Sequence, residues 1–199
     1  MNFLAHLLLS GSREEVMVGN LMGDFIKGRL LPGQYPAGIM EGVQLHRSID
    51  SFAAANEYFR CSKRRLSDPC GLYRGVMVDL FYDHFLAREW DVYASLPLSD
   101  YIECACRVLR EHRQVLPGRL ERILPALFIE WLPSYREIEG VELALQRMGM
   151  RLKRANPLAM GGDELRKHYA GLHEDFSRFF PALLAYPEVC RHVGPDVAG

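Results

Sequence analysis

The stretch Gly75–Trp90, GVMVDLFYDHFLAREW, decides the fold. Read at helical spacing, Asp79 and Asp83 fall one turn apart on the same face, with His84 directly after them. Val76, Leu80, Phe81, Phe85 and Leu86 place an apolar surface around these groups. Carboxylates and an imidazole in such a setting are costly to bury unless they are paired or hold a cation. The same pattern recurs three times upstream: His46 and Asp50 in LHRSID, Asp24 in GNLMGDFIKG with Asn20 a turn earlier, and His6 in MNFLAHL. These residues are expected to converge from separate helices on a divalent metal site.

Outward from that stretch the apolar spacing is helical throughout, and no convincing alternating strand appears. The expected fold is all-α, a single-domain helical bundle over residues 1–199, with an irregular tail after about residue 190. A first helix covers Asn2–Leu9. Ser12 and Glu15 form a capping box that opens a second helix running toward Ile26. A long third helix spans about residues 37–65, SDPCG breaks it, and the fourth covers about residues 72–93. Further helices are expected over Tyr101–Val115, over Leu120–Trp131 with Pro125 inside, and over 135–150. Asp163 caps a last one that reaches about Tyr186, interrupted by Pro181.

Composition narrows the function class. Hydrophobic residues make up 49% and charged residues 25% of the 199, the balance of a soluble globular protein. The formal net charge of −1 gives no global field toward nucleic acid or membrane. The apolar N-terminus lacks a basic leader and is too short to span a bilayer, so it reads as a buried helix of a cytoplasmic protein. Five cysteines without a CxxC pair point to reduced, structural thiols.

The chemistry follows from the donor set. Imidazole and carboxylate without thiolate favour Mn²⁺, Fe²⁺ or Mg²⁺ over a structural zinc. No nucleophilic Ser or Cys motif and no Gly-rich phosphate loop is present, so metal-assisted hydrolysis is the expected reaction class. On spacing alone, His46 with Asp50 also fits a structural hydrogen bond, and Asp83 also fits a cap or a pair with Arg88.

Several segments in one order carry a resemblance: MNFLAHL, GNLMGDFIKG, the G-x-x-L-H-R-x-I-D of Gly42–Asp50, VDLFYDHFLAREW, and HYAGLHEDFSRFFP near the C-terminus. Together they are similar to the acyl carrier protein phosphodiesterases, a family regarded as a divergent branch of the HD-type metal phosphohydrolases. The resemblance implies an HD-domain-like fold and Mn²⁺-dependent hydrolysis of the phosphodiester between 4′-phosphopantetheine and a serine of holo-acyl carrier protein. It marks His6, Asp24, His46, Asp79, Asp83 and His84 as metal-site candidates, with Asp50 a further one and only one of Asp83 and His84 expected to face the ion. Of these, Asp24, His46, Asp79 and Asp83 are the expected catalytic residues. His168 enters as a candidate because its HY matches the C-terminal segment.

Where relatives continue past the LHRSID region with Phe, Thr and Asp, this chain has Phe52, Ala53, Ala54, Ala55 and Asn56. That departure leaves room for a phosphohydrolase of nucleotides or other small phosphoesters; a separate alternative is a non-catalytic helical protein that docks carrier proteins. Arg60, Lys63, Arg64 and Arg65 form a basic helix end that fits either a solvated terminus or a patch that steers an acidic carrier protein. Lys27, Arg29 and Arg47 lie near the expected ligands in sequence and are candidate phosphate contacts.

Overall fold

Residues 3–193 are described by the computed structural model, and every regular element among them is helical. In chain order these are α1 (Phe3–Leu8), α2 (Glu14–Met22), α3 (Ala37–Ala55), α4 (Glu57–Arg65), α5 (Arg74–Arg88), α6 (Trp90–Tyr93), α7 (Leu98–Glu111) and α8 (Gly118–Ala126). A π-helical turn (Leu127–Trp131) follows, then α9 (Leu132–Ser134), α10 (Ile138–Met150), α11 (Gly161–Leu184) and α12 (Pro187–Cys190). Short 3₁₀ turns fill several connections, including Gly23–Phe25 directly after α2. Of the tail expected after residue 190, Arg191–Val193 form a turn and the rest lies outside the described residues. No helix among the described residues is long and apolar enough to cross a membrane.

The helix carrying Asp79 and Asp83 is the centre of the molecule. From Met77 through Ala87, α5 is buried at every position but Asp79, and a helix apolar almost all round belongs in a core. α1, α4, α10 and α11 all pack on it. On the α11 side the contact is aromatic, with Tyr82 edge-on to Phe176 at 5.4 Å and tilted against Phe179 at 5.0 Å.

α2 and α3 meet backbone to backbone. A Cβ on Gly42 would lie 2.2 Å from the Val16 carbonyl oxygen and 2.9 Å from the Gly19 Cα, and one on Gly19 would lie 2.0 Å from the Ile39 carbonyl. Only glycines permit this approach, and it sets Asn20 of α2 directly against His46 of α3.

Several local expectations differ from the structure, among them the fourth helix, which breaks at Glu89 between α5 and α6. The long third helix is two, because Asn56 leaves helical geometry and its side chain accepts from the Tyr58 and Phe59 amides, capping α4. The Ser12–Glu15 box does not form; Glu15 reaches across to accept from the Gly38 amide at 3.1 Å in the first turn of α3. Asp163 lies inside the first turn of α11 rather than at its cap. Pro181 does not interrupt that helix, since it sits near the end, where Ala185 still donates to its carbonyl at 3.0 Å. All five cysteines are free thiols; Cys70 is buried in the core, whereas Cys104 and Cys190 are exposed rather than structural.

Asp83 is a structural residue. Its two oxygens accept from the Leu4 amide at 2.8 Å and the Ala5 amide at 3.0 Å, satisfying orphan donors at the start of α1. Burial pushes its carboxyl up to about 7, against the opposing pull of those two amides.

Two stability outcomes follow. Gly42→Ala drives a Cβ into backbone that cannot yield, and should cost about 3 kcal/mol or more in a urea melt. Asp83→Ala strands two buried amides and should cost roughly 2–5 kcal/mol, whereas Asp83→Asn, which keeps one acceptor, should lose about half of that; equal losses for the two variants would contradict the capping role.

Candidate metal centre

His6 of α1 and His46 of α3 stack face to face, with ring centroids 4.0 Å apart and planes 17° from parallel. Both rings are buried, at 2% and 4% exposure. Asp50, one turn beyond His46, turns a carboxylate oxygen to each. Oδ1 lies 3.4 Å from His6 Nε2 and Oδ2 lies 3.2 Å from His46 Nε2. Asp24, in the 3₁₀ turn after α2, brings its Oδ1 to 3.6 Å from His46 Nε2. The absence of a side chain at Gly23 makes room, since a Cβ there would lie 2.1 Å from the His46 ring.

The opposite edges of both rings are tied to Asn20, which is fully buried. His6 Nδ1 lies 2.8 Å from the Asn20 side-chain oxygen, and His46 Nδ1 lies 2.8 Å from the Asn20 main-chain carbonyl. The Asn20 amide nitrogen in turn donates to the His6 carbonyl at 2.8 Å and to Ser10 Oγ at 2.9 Å. Asn20 and Ser10 escape a motif reading that looks for ionisable groups. The available signal is a polar side chain inside the otherwise apolar run VMVGNLM.

Charge is divided unequally across the pair. Burial holds His6 down at about 4, and the neighbouring His46 ring acts in the same direction. Burial also opposes charge on His46, but the carboxylates of Asp24 and Asp50 outweigh it and carry His46 up to about 9. Asp24 and Asp50 are themselves held below the usual carboxylate range: burial opposes this, and the facing imidazoles prevail. Of the protein's own groups alone, the cluster at neutral pH thus carries one imidazolium between two carboxylates.

The donors fit a divalent cation. Ligand atoms of His6, His46 and Asp50 all lie within 4.8 Å of one another. Donors around one ion at about 2.0–2.2 Å sit roughly 3–4 Å apart, so little movement is needed. Among the described residues, the buried His6 Nε2 has no hydrogen bond of normal length and faces the Asp50 carboxylate at 3.4 Å. A lone pair aimed at an anion is unfavourable by itself and becomes favourable when a cation lies between them.

The other expected site residues divide clearly. Asp79 lines a cleft of about 380 Å³ together with Asp24, Asp50 and Lys63, between walls that include Phe3, Phe59, Val76 and Met148. Burial raises the Asp79 carboxyl above its ordinary value. Asp83 is corrected to the α1 cap described above, with both oxygens taken. His84 is also corrected: it points to the far side of α5, with Nδ1 2.8 Å from the Tyr135 carbonyl and Nε2 3.2 Å from the Tyr169 hydroxyl. Adjacent residues on a helix diverge by about 100°, and here neither Asp83 nor His84 joins the cluster.

Among the basic candidates, Lys63 alone lines the cleft, with Nζ 5.3 Å from the Phe59 ring centroid. Arg60 and Arg64 share its helix and bond locally, to the Ala54 carbonyl and to Cys61 Sγ. Arg47 donates to the Gly28 carbonyl at 2.7 Å, and Lys27 is exposed on that same loop. Arg65 is withdrawn into a two-point pair with Asp175, at 2.7 and 3.1 Å. His168 lies on α11, 3.7 Å from Glu164, and is not among the residues lining the cleft.

Known proteins resemble this chain over most of its length. A family model described as acyl carrier protein phosphodiesterase matches residues 1–183. The chain is 33% identical over 197 residues to an acyl carrier protein phosphodiesterase of Klebsiella pneumoniae subsp. pneumoniae, covering 94% of this chain and 98% of the relative. It is 32% identical over 193 residues to one of Yersinia pestis, covering 92% and 96%. No solved structure matches the chain. A match of this extent, spanning every residue of the histidine–aspartate cluster, places the chain in the acyl carrier protein phosphodiesterase family.

Proposed function

We propose that this protein is a metal-dependent phosphodiesterase that removes 4′-phosphopantetheine from holo-acyl carrier protein, giving apo-carrier and free phosphopantetheine. The observation that carries the reading is the Asp50 carboxylate spanning two stacked, buried imidazoles at 3.4 and 3.2 Å, at the inner end of an open cleft. His6, His46, Asp50 and Asp24 would hold the cation, and Mn²⁺ is the ion that the family resemblance favours over Mg²⁺ or Fe²⁺. Bound there, a divalent cation supplies Lewis acidity to the phosphoryl oxygens and to the attacking water.

The chain's own groups supply the rest. Lys63 sets a positive charge in the wall of an otherwise acidic cleft, where it meets a phosphodiester's non-bridging oxygen. Arg60 and Arg64 extend that charge along the exposed face of α4 toward the acidic carrier, steering encounter more than adding affinity. Phe3, Phe59, Val76 and Met148 offer the uncharged pantetheine arm an apolar path and keep bulk water from the reacting end.

The deciding experiment incubates the purified protein with holo-carrier and Mn²⁺ and follows the carrier mass. Loss of the phosphopantetheine mass is expected, and it should be abolished by chelator. An unchanged mass, under conditions where a relative is active, would refute the proposal. In the same assay Asp50→Ala should lower turnover and Mn²⁺ affinity together by more than about 100-fold.

Metal affinity should also depend on pH in a defined sense. His46 keeps its proton up to about 9 when only the carboxylates face it, so a cation must displace that proton at any lower pH. Titrations in buffers of different ionisation enthalpy should show about one proton released per Mn²⁺ at pH 7, and affinity should rise about tenfold per pH unit until it levels near 9.

A further inference from the structure

Asn20 does more than fill space between α1, α2 and α3. Its amide orientation is determined by its partners: the His6 carbonyl only accepts, and Ser10 Oγ gives its own proton to that same carbonyl at 2.7 Å. Both groups therefore take protons from the Asn20 nitrogen, which leaves its side-chain oxygen facing His6 Nδ1 at 2.8 Å. An oxygen that only accepts requires a proton on His6 Nδ1. The Asn20 main-chain carbonyl makes the same demand of His46 Nδ1 at 2.8 Å.

We infer that Asn20 is the positioning residue of the centre, keeping a proton on Nδ1 of both His6 and His46 so that Nε2 of each ring, the nitrogen facing Asp24 and Asp50, is the one a cation would take. One residue thus orients two imidazoles, one with its side chain and one with its main chain. With the proton on Nδ1, the bare Nε2 of His6 is the ring's only position for a metal. Without the Asn20 side chain, the His6 proton would move to Nε2, where Asp50 offers it an acceptor and the lone pair is lost to a cation. The effect on metal affinity rests on the metal-centre reading above; the tautomers themselves do not.

Two-bond ¹H–¹⁵N correlation spectra of chelator-treated, histidine-labelled protein read the proton on each ring nitrogen directly. Wild-type His6 is expected with its proton on Nδ1; finding it on Nε2 would overturn the inference without any variant. Asn20→Leu removes the acceptor at similar volume. It should shift the His6 proton to Nε2 and lower Mn²⁺ affinity about 10–100-fold, while His46, bonded to the main chain, keeps its signals. Asn20→Asp retains the acceptor and should keep the Nδ1 proton; its charge adds a proton at Nε2 near neutrality, so it is compared with wild type above the pH at which that proton leaves, where affinity should be within a few-fold. Equal losses in the two variants would show a merely structural role and overturn the inference, and the Asp variant with the wild-type spectrum decides the matter if the Leu variant does not fold. Wild-type protein with the expected tautomer but no Mn²⁺ binding would refute the metal-centre reading and leave the tautomer assignment upheld.

Discussion

The backbone contact between α2 and α3 at Gly19 and Gly42 is the constraint from which the site is built. Helices usually stand apart by the length of their interlocking side chains. Here the carbonyls of Val16 and Ile39 occupy the space where those side chains would begin. That closeness lets a main-chain carbonyl of one helix reach the imidazole of the other, as Asn20 reaches His46. α1 is then laid against the pair by Asp83, which holds the first amides of that helix and so delivers His6 onto the His46 ring. Removing either device would separate His6 from His46 without touching either ring.

Much of this was legible in the sequence, for a physical reason. A charged or imidazole side chain in an apolar helical run must have a partner, so His6, Asp24, His46 and Asp50 announce themselves one by one. The i,i+4 spacing of His46 and Asp50 even places them on one face. Asp79 and Asp83 show the same spacing with different outcomes, and nothing local separates them. The difference is that the start of α1, some 79 residues away in the chain, lands on Asp83. His84 is decided in the same way, by Tyr135 and Tyr169 arriving from later elements. Long-range packing selects among residues that local pattern treats as equal.

The local misreadings have a common cause as well. Glu15 three residues after Ser12 is a sound capping box by spacing, yet the Gly38 amide across the α2–α3 contact takes its carboxylate. Asn56 was readable: an asparagine after a run of alanines, followed by an acidic first turn, is a helix start. The apolar periodicity across residues 37–65 hides it, because α3 and α4 both face the same core. The break shapes the cleft, since it lets α4 turn as an independent element and bring Lys63 to the cleft wall.

α4 is in turn fixed by a buried polar network. Ser62 lies 2.9 Å from the Tyr82 hydroxyl and donates to Asp175 at 2.9 Å, and Arg65 completes the Asp175 carboxylate with two bonds. Gly171 leaves the room Arg65 needs, as a Cβ there would lie 2.5 Å from its guanidinium. Such a network is weak evidence for stability, because desolvating Asp175 offsets much of what the pair gains. What it supplies is register: Lys63, between Ser62 and Arg65 in the chain, faces the cleft only if α4 is rotated as this network holds it. The electrostatics of the cleft then follow from the centre beneath. Two carboxylates against one imidazolium leave the four residues His6, Asp24, His46 and Asp50 net negative, which opposes an anionic phosphodiester. A dication that displaced the His46 proton would bring them to neutrality and leave the Lys63 charge uncancelled at the wall. In the proposed reaction, loading the ion and attracting the substrate are therefore one electrostatic event, with His46 as the group that couples them.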